Sequence, residues 1–233
     1  MMNKPLSSLS IYFPAYYDEN TIEPLTLKNL DIARQLTDDF EIIIVNDNSP
    51  DRTGEIADKL AAQYSEVRVV HHRKNMGVGQ AMITGYQEAK KDWVFYTDGD
   101  AQYDVRELPL LAEHAKDFDV IIGYRLKRAE GWRRVITSKC FHFLVFLLFG
   151  IHHRDIDCSF KLLHRRFLDK ITFHTNSGLV DAEILIGAKR LKFPIKEIGV
   201  HHYVRQFGSS HCFRVKLIVS MLLDMVKLRF KSW

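Results

Sequence analysis

Carboxylate side chains gather where a short apolar run ends near the middle of the chain. The run 93–96 (WVFY) has the apolar and aromatic character of a buried strand. Asp98, Asp100 and Asp104 follow within a seven-residue segment that also contains Gln102. Carboxylates this close repel one another unless a cation neutralises them. Hard oxygen ligands suit Mg²⁺ or Mn²⁺, which usually also binds substrate phosphates, so the segment predicts a site for a divalent metal and a diphosphate.

Two other apolar runs lead into polar clusters of the same kind. Residues 10–13 (SIYF) are followed by 14–19 (PAYYDE), and residues 41–45 (EIIIV) are followed by 46–51 (NDNSPD). In open parallel sheets, ligands bind beyond the carboxyl ends of the strands. Asp and Asn also favour turns and helix N-caps, which is the purely structural interpretation of any one cluster. Three clusters at matching positions favour the interpretation as a binding site.

The apolar periodicity predicts strands and helices in alternation. Strands are predicted at 10–13, 41–45, 67–70, 93–96, 119–122, 160–163 and 195–203, and helices at 22–36, 53–64, 77–89, 108–114, 135–150, 181–191 and 213–230. Such a pattern is typical of an α/β fold with a Rossmann-like, mostly parallel sheet and helices on both faces. Residues 125–134 are predicted to be a basic loop. The expected organisation is one domain over 1–210 and an amphipathic helical elaboration over 211–233.

Composition limits the classes of function and the compartment. The formal net charge of +4 suits an anionic ligand or an anionic membrane surface, and there is no nucleic-acid-binding signature. The three cysteines are odd in number and form no CxxC pair, which favours a reducing, cytoplasmic compartment. The amino-terminal residues lack a signal-type apolar region, and no apolar stretch approaches the roughly 20 residues of a spanning helix. The longest apolar run, 141–149, is broken only by His142 and is expected to be a core or membrane-interface helix.

Five segments in order resemble the motifs of the family 2 glycosyltransferases. They are PAYYDE (14–19), VNDNSPDRT (45–53), NMGVGQA (75–81), TDGDAQYD (97–104) and DIDCSFKLLHR (155–165). The segments are most similar to those of the polyprenyl-phosphate sugar transferases, the branch that contains dolichol-phosphate mannosyltransferase. Each motif is weak alone, whereas five in the family's order are a specific signal. The resemblance implies a GT-A fold and a nucleoside-diphosphate-sugar donor.

The resemblance also implies roles for individual residues. The donor-binding residues would be Pro14, Ala15, Tyr16, Asp18, Asn46, Asp47, Asp98, Gly99, Arg125 and Arg205. Mg²⁺ or Mn²⁺ would be held by Asp98, Asp100 and Gln102. The catalytic set would be Asp100, Arg125, Asp155 and Asp157. The last two are the acceptor-side candidates, which would position the acceptor or take a proton from a hydroxyl; the structural alternative is that one of them caps the chain before Phe160.

Three residues depart from the family pattern. Asn46 and Tyr17 stand where Asp and Asn are usual, and Ser159 stands where Gly or Ala is usual. These departures bear on base and acceptor recognition rather than on the class of reaction. The histidine pairs, such as 71–72, are not interpreted as metal sites, because adjacent strand residues face opposite ways.

The predicted function is inverting transfer of a sugar to polyprenyl phosphate at the cytoplasmic face of a membrane. UDP is the expected donor nucleotide, because most relatives use it, and GDP is its main rival. One alternative is a glycan or another hydroxyl acceptor. An alternative of a different class is a nucleotide-binding or scaffold protein without catalysis. The expected partners are the donor, the acceptor and a peripheral membrane contact, without nucleic acid; a homo-oligomer is left open.

Overall fold

Seven strands form one sheet in a computed structural model that describes residues 4–127, 132–207 and 223–231. The strands are β1 (Leu9–Ala15), β2 (Phe40–Asn46), β3 (Val67–His71), β4 (Trp93–Thr97), β5 (Val120–Arg125), β6 (Phe160–His164) and β7 (Ile195–Val200). The helices are α1 (Ile22–Leu36), α2 (Thr53–Gln63), α3 (Val78–Glu88), α4 (Leu108–Ala112), α5 (Trp132–Phe149), α6 (Arg165–Leu168) and α7 (Val180–Arg190). A 3-10 turn, Val105–Glu107, precedes α4, and residues 223–229 are also helical.

The strand order is β3-β2-β1-β4-β6-β5-β7, and β6 runs opposite to the rest. β1 pairs in parallel with β2 and β4, whereas β6 is antiparallel to both β4 and β5. β7 is again parallel to β5. The carboxyl ends of six strands therefore share one edge of the sheet with the amino end of β6. We call this the active edge.

The core lies on both faces of the sheet, because the strands alternate their apolar side chains between them. In β2, Ile42 and Ile44 pack in the cluster that contains the buried residues of α1. Ile43 and Val45 pack in the opposite cluster, with α3 and α7. The buried positions of α1 recur at spacings of three and four residues, as the helical period requires.

The predicted α/β class is confirmed, with two corrections to the element bounds. The last strand was predicted to reach residue 203 but ends at Val200. The predicted basic loop 125–134 is also wrong at both ends, because Arg125 is the last residue of β5 and α5 begins at Trp132. The predicted helix 213–230 falls largely outside the described residues, so the division at residue 210 stays a prediction. Among the described helices, none combines the length and apolar character needed to cross a membrane.

The close packing of α3 against β1 can be tested by a substitution at Gly85. A Cβ atom at Gly85 would lie 2.0 Å from Cδ2 of Tyr12, which is fully buried. Overpacking of this kind costs about 1–3 kcal/mol. We expect Gly85→Ala to lower the free energy of unfolding, measured by urea denaturation, despite the better helix propensity of alanine. Gln87→Ala, on the exposed side of the same helix, should stay within about 0.5 kcal/mol of the parent. An unchanged midpoint for Gly85→Ala would show that α3 moves away from the tyrosine without cost.

Candidate active site

The loop after β4 carries the Asp98-Gly99-Asp100 segment and lies against the end of β1. A Cβ atom at Gly99 would lie 2.3 Å from the carbonyl oxygen of Pro14, so this close approach requires glycine. The hydroxyl of Thr21 donates to the carbonyl oxygen of Gly99 at 2.8 Å. These contacts fix both carboxylates of the segment at the active edge, where β1 and β4 end.

Three carboxylates and one arginine form what we call the acidic cluster: Asp18, Asp98, Asp100 and Arg205. Burial, followed by the charge of Asp98, raises the pKa of Asp100 to about 7, although Arg205 opposes the shift. Burial also raises the pKa of Asp18 to about 6. Burial is the largest cause of both shifts, and the charge of neighbouring Asp98 adds to it, since both effects disfavour the ionised carboxylate. The residue types and their electrostatics therefore fit a divalent cation at Asp98 and Asp100.

Gln102 connects this loop to the segment that follows β7. Its side-chain nitrogen donates to the carbonyl oxygen of Tyr203 at 2.7 Å, and the amide of Tyr203 donates back to the Gln102 carbonyl at 2.8 Å. Two residues further on, Arg205 forms an ion pair with Asp100. Arg205 therefore lies beside Asp100, and its contact with the donor or acceptor phosphates stays a prediction. Direct coordination of a metal by Gln102 stays a prediction.

The nucleoside side predicted from the sequence lies at the ends of β1 and β2. Pro14 and Ala15 end β1, and the amide of Tyr16 donates to Oδ2 of Asp18 at 2.9 Å. Asn46 ends β2, and its side-chain amide bonds to the following loop and to β3. The structure therefore brings these predicted residues together beside the acidic cluster.

Asp47 is buried and already holds three hydrogen bonds. Its Oδ1 accepts from Nδ1 of His72 at 2.7 Å and from the amide of Met76 at 2.8 Å. Its Oδ2 accepts from the amide of Gly77 at 2.8 Å, at the start of α3. The carboxylate therefore orders the chain between β3 and α3, and a contact with a base or ribose stays a prediction. The role of His72 in ordering Asp47 was not predicted, because adjacent histidines in a sequence show no sign of a partner in another segment.

A second group, which we call the arginine cluster, consists of Arg125, His142, Asp155 and Asp157. Nε of Arg125 lies 2.6 Å from Oδ2 of Asp155, and NH2 lies 2.7 Å from its Oδ1. NH2 of Arg125 also lies 3.2 Å from Oδ2 of Asp157. The Asp155 side chain is 3% exposed and that of Asp157 is 38% exposed, so only Asp157 presents its carboxylate to solvent.

This arrangement changes the expected surroundings of Arg125. The resemblance implied a place near the donor diphosphate, whereas the structure buries the guanidinium against the two acceptor-side candidates. Removing one partner of a buried pair leaves an uncompensated charge, which costs about 3–5 kcal/mol. Asp155 is therefore required to hold Arg125, beyond any role toward an acceptor. Contact between Arg125 and a diphosphate stays a prediction.

His142 is a second functional candidate that was not predicted from the sequence. Its Nε2 lies 2.6 Å from Oδ1 of Asp157, and the hydroxyl of Ser138, one turn earlier in α5, lies 3.3 Å from Oδ2. The signal was present, since this histidine is the only polar residue in the apolar run 141–149. Ligand-type atoms of His142, Asp155 and Asp157 lie within 4.8 Å of one another. Both carboxylates are already bonded to Arg125, and Asp157 also to His142, so this group is better explained as an ion-pair network than as a metal site.

The comparison with protein families identifies the class. Residues 10–172 match the family described as Glycosyl transferase family 2. The match covers more than half of the chain, which therefore belongs to this family of glycosyltransferases. The predicted family and enzyme class are confirmed.

Two individual relatives indicate a branch within this family. The chain is 28% identical over 223 residues to an undecaprenyl-phosphate 4-deoxy-4-formamido-L-arabinose transferase of Pectobacterium carotovorum, covering 95% of this chain and 67% of that protein. It is 30% identical over 202 residues to glycosyltransferase AglD of Haloferax volcanii, covering 82% of this chain and 32% of that protein. These relatives are consistent with the polyprenyl-phosphate branch.

Solved structures share the fold. Glucosyl-3-phosphoglycerate synthase of Mycobacterium tuberculosis, in complex with Mn²⁺, UDP and phosphoglyceric acid, superposes with a TM-score of 0.72 at 19% identity, over 96% of this chain and 78% of that one. The same enzyme with UDP-glucose gives a TM-score of 0.72 at 18% identity, over 96% of this chain and 79% of that one. The GT-A fold predicted from the motifs is confirmed.

The raised pKa of Asp100 predicts how metal binding depends on pH. A carboxyl group whose pKa rises on folding stabilises the metal-free protein at low pH and loses that effect as the pH passes its folded value, here about 7. Protons therefore compete with Mn²⁺ below neutrality. We expect Mn²⁺ to raise the melting temperature more at about pH 8 than at about pH 5.5.

Two variants separate this effect from general charge effects. Asp100→Asn should lose most of the Mn²⁺-dependent rise in melting temperature. Asp104→Asn should keep it, because Asp104 is paired with Arg106 outside the acidic cluster. An equal rise in Asp100→Asn and the parent would place the metal elsewhere.

Proposed function

We propose that the chain transfers a sugar, with inversion, from a nucleoside-diphosphate sugar to a polyprenyl phosphate. The observation that carries this proposal is the pair of clusters at one edge of the sheet. In the acidic cluster one arginine faces three carboxylates, which leaves an excess of negative charge for a metal to balance. In the adjacent arginine cluster, His142 and Asp157 are partly exposed toward a second substrate, and Arg125 lies buried behind them. The name of the Pectobacterium relative, which specifies undecaprenyl phosphate, supports this class of acceptor.

The donor would lie across the ends of β1, β2 and β4. Asp98 and Asp100 would hold Mg²⁺ or Mn²⁺, which when bound would neutralise the negative charge that grows on the departing diphosphate. Arg205, already paired with Asp100, would contribute a second positive charge to the same phosphates. UDP is the expected nucleotide, and the complexes of the Mycobacterium synthase with UDP are consistent with it.

The acceptor would approach from the side of the arginine cluster. A phosphate acceptor is already anionic and nucleophilic, so it needs a fixed position more than a base. Arg125 would supply positive charge, and Asp155 would hold Arg125 in place from its buried side. When protonated, His142 would supply a second positive charge to the acceptor phosphate. Its Nε2 lies 2.6 Å from the exposed carboxylate of Asp157.

One observation favours a second candidate, in which the acceptor is a hydroxyl of a glycan or small molecule. His142 and Asp157 form a base-and-orienter pair at 2.6 Å, which is the arrangement that removes a proton from a hydroxyl. Loss of such a base typically costs on the order of 10²–10⁴ in rate. His142→Ala would therefore nearly abolish transfer to a hydroxyl and would have a smaller effect on transfer to a phosphate.

The direct test is transfer of radiolabelled sugar from UDP- and GDP-sugars, with Mg²⁺ or Mn²⁺, to undecaprenyl phosphate. We expect label in the organic phase for one nucleotide, and a loss on the order of 10²–10³ in rate for Asp100→Ala. Asp104→Asn serves as the matched control and should keep the parent rate. Label only in water-soluble product would favour the hydroxyl acceptor. Donor binding with no turnover for any acceptor would instead favour the non-catalytic alternative.

We also propose that α5 contacts the cytoplasmic face of an anionic membrane. Its side chains Phe143, Phe146 and Leu147 are 62%, 49% and 65% exposed, and they recur at spacings of three and four on one side of the helix. His142, which directly precedes Phe143 in α5, belongs to the arginine cluster. A lipid phosphate whose chain remains in the membrane would thus reach this cluster beside an apolar helix face.

Vesicle flotation tests this contact. The double variant Phe143→Ser/Leu147→Ser should bind anionic vesicles roughly tenfold more weakly than the parent, because it removes two exposed apolar groups from α5. Leu110→Ser removes a 42% exposed apolar side chain from α4 and should bind like the parent. Equal loss in both variants, or none in either, would contradict a specific role for α5.

A further inference from the structure

Lys161 is a fully buried cation that the proposed chemistry does not use. Its side chain is 0% exposed and projects from β6 beneath the active edge. Nζ forms an ion pair of 2.6 Å with Oδ1 of Asp181, in the first turn of α7. Nζ also donates to the carbonyl oxygens of Ile156, at 3.4 Å, and Cys158. These three acceptors satisfy the three hydrogens of the ammonium group.

The two carbonyl groups flank Asp157. The segment 155–158 therefore curves around the ammonium group and presents its backbone oxygens inward. Its carboxylates point the other way, toward Arg125 and His142. A buried ammonium is costly unless it is paired and fully bonded. An apolar residue at this position of β6 would fill the same space but would leave both carbonyl groups without a donor.

We propose that Lys161 and Asp181 are a positioning pair that holds the 155–158 segment in the shape of the arginine cluster. The pair touches no substrate. It acts through the loop, keeping Asp155 on Arg125 and Asp157 beside His142. The inference rests on the proposed function only where it names the acceptor as the substrate that this loop serves.

The donor side is held by different contacts. Gly99, Thr21 and Pro14 fix the loop of the acidic cluster, and none of these contacts involves β6 or α7. Asp181 also lies within electrostatic range of Asp98, but the pair as a whole carries no net charge. Loss of the whole pair should therefore weaken use of the acceptor and leave donor binding nearly unchanged. A residue needed only for stability would instead affect both substrates, or neither once stability is restored.

The chain contains a reporter for this loop. Cys158 is buried, and burial raises the pKa of its thiol to about 12. Cys140 is exposed on α5 and serves as the internal reference for alkylation. The charge of Lys161 lowers the pKa of Cys158, so removing that charge makes the thiol intrinsically less reactive. Faster labelling after its removal, at a temperature where the variant stays folded, therefore reports opening of the loop around Cys158.

The experiment compares Lys161→Met/Asp181→Leu with the parent. Replacing the whole pair by apolar groups avoids leaving one buried charge unpaired, which is the larger loss, although the two carbonyl groups lose their donor. We expect a melting temperature below that of the parent but well above the assay temperature, with Cys158 alkylated at least roughly tenfold faster relative to Cys140. We also expect kcat/KM for the acceptor to fall on the order of 10²-fold, as for other misplaced reacting groups, with an unchanged donor Kd.

Asp181→Asn is the second variant, and it keeps an acceptor for the ammonium without the counter-charge. It should also show faster alkylation of Cys158 and a lower kcat/KM for the acceptor, each to a smaller degree than the double variant. Lys59→Met, which breaks an exposed pair with Glu55, should change neither labelling nor kinetics. Parent-like Cys158 labelling in a folded double variant or in Asp181→Asn would overturn the proposal. Because labelling needs no substrate, it distinguishes failure of this inference from failure of the proposed acceptor.

Discussion

The reversed direction of β6 is the constraint on which both halves of the site depend. If β6 ran parallel to its neighbours, the residues just before it would lie at the far edge of the sheet. Its antiparallel pairing with β4 and β5 instead delivers Asp155 and Asp157 to the edge where those two strands end. The register places Phe160 opposite Thr97, so the loop before β6 lies next to the loop after β4. One reversed strand thus makes two separate motifs neighbours.

The two clusters differ in how far positive side chains balance their carboxylates. In the arginine cluster, Arg125 is bonded to both carboxylates, and its geometry is complete within the chain. In the acidic cluster, Arg205 faces three carboxylates, and burial together with the charge of Asp98 raises the pKa of Asp100 to about 7. The first cluster is therefore preorganised, whereas the second keeps an excess of negative charge, which a bound cation would balance.

The sequence pattern predicted those features of the fold that depend on residues close together in the chain. The bounds of α1, 22–36, agree with the prediction, because its buried residues follow the helical period. The carboxyl-end loops were also predicted, because strand direction in a parallel sheet fixes which edge they share. The direction of β6 and the contacts of His142 and Lys161 were not, since each depends on partners more than ten residues away. A single polar residue in an apolar run indicates that the residue has a polar partner. Which residue that partner is depends on the tertiary structure.

The departure from the family pattern at Tyr17 illustrates how the backbone and the side chain are constrained separately. Tyr17 has φ of 61°, a left-handed conformation that Asn adopts more readily than Tyr. Its amide donates to the hydroxyl of Ser49 at 2.8 Å, and its ring packs edge-on to Tyr16 with centroids 4.7 Å apart. These contacts offset the strain of the left-handed conformation. Tyr17 is 45% exposed, so its side chain shapes the surface beside Tyr16, whereas the loop that carries Asp18 is held by the backbone amide. A difference from the family in nucleoside recognition would arise at that surface rather than from a rearranged backbone.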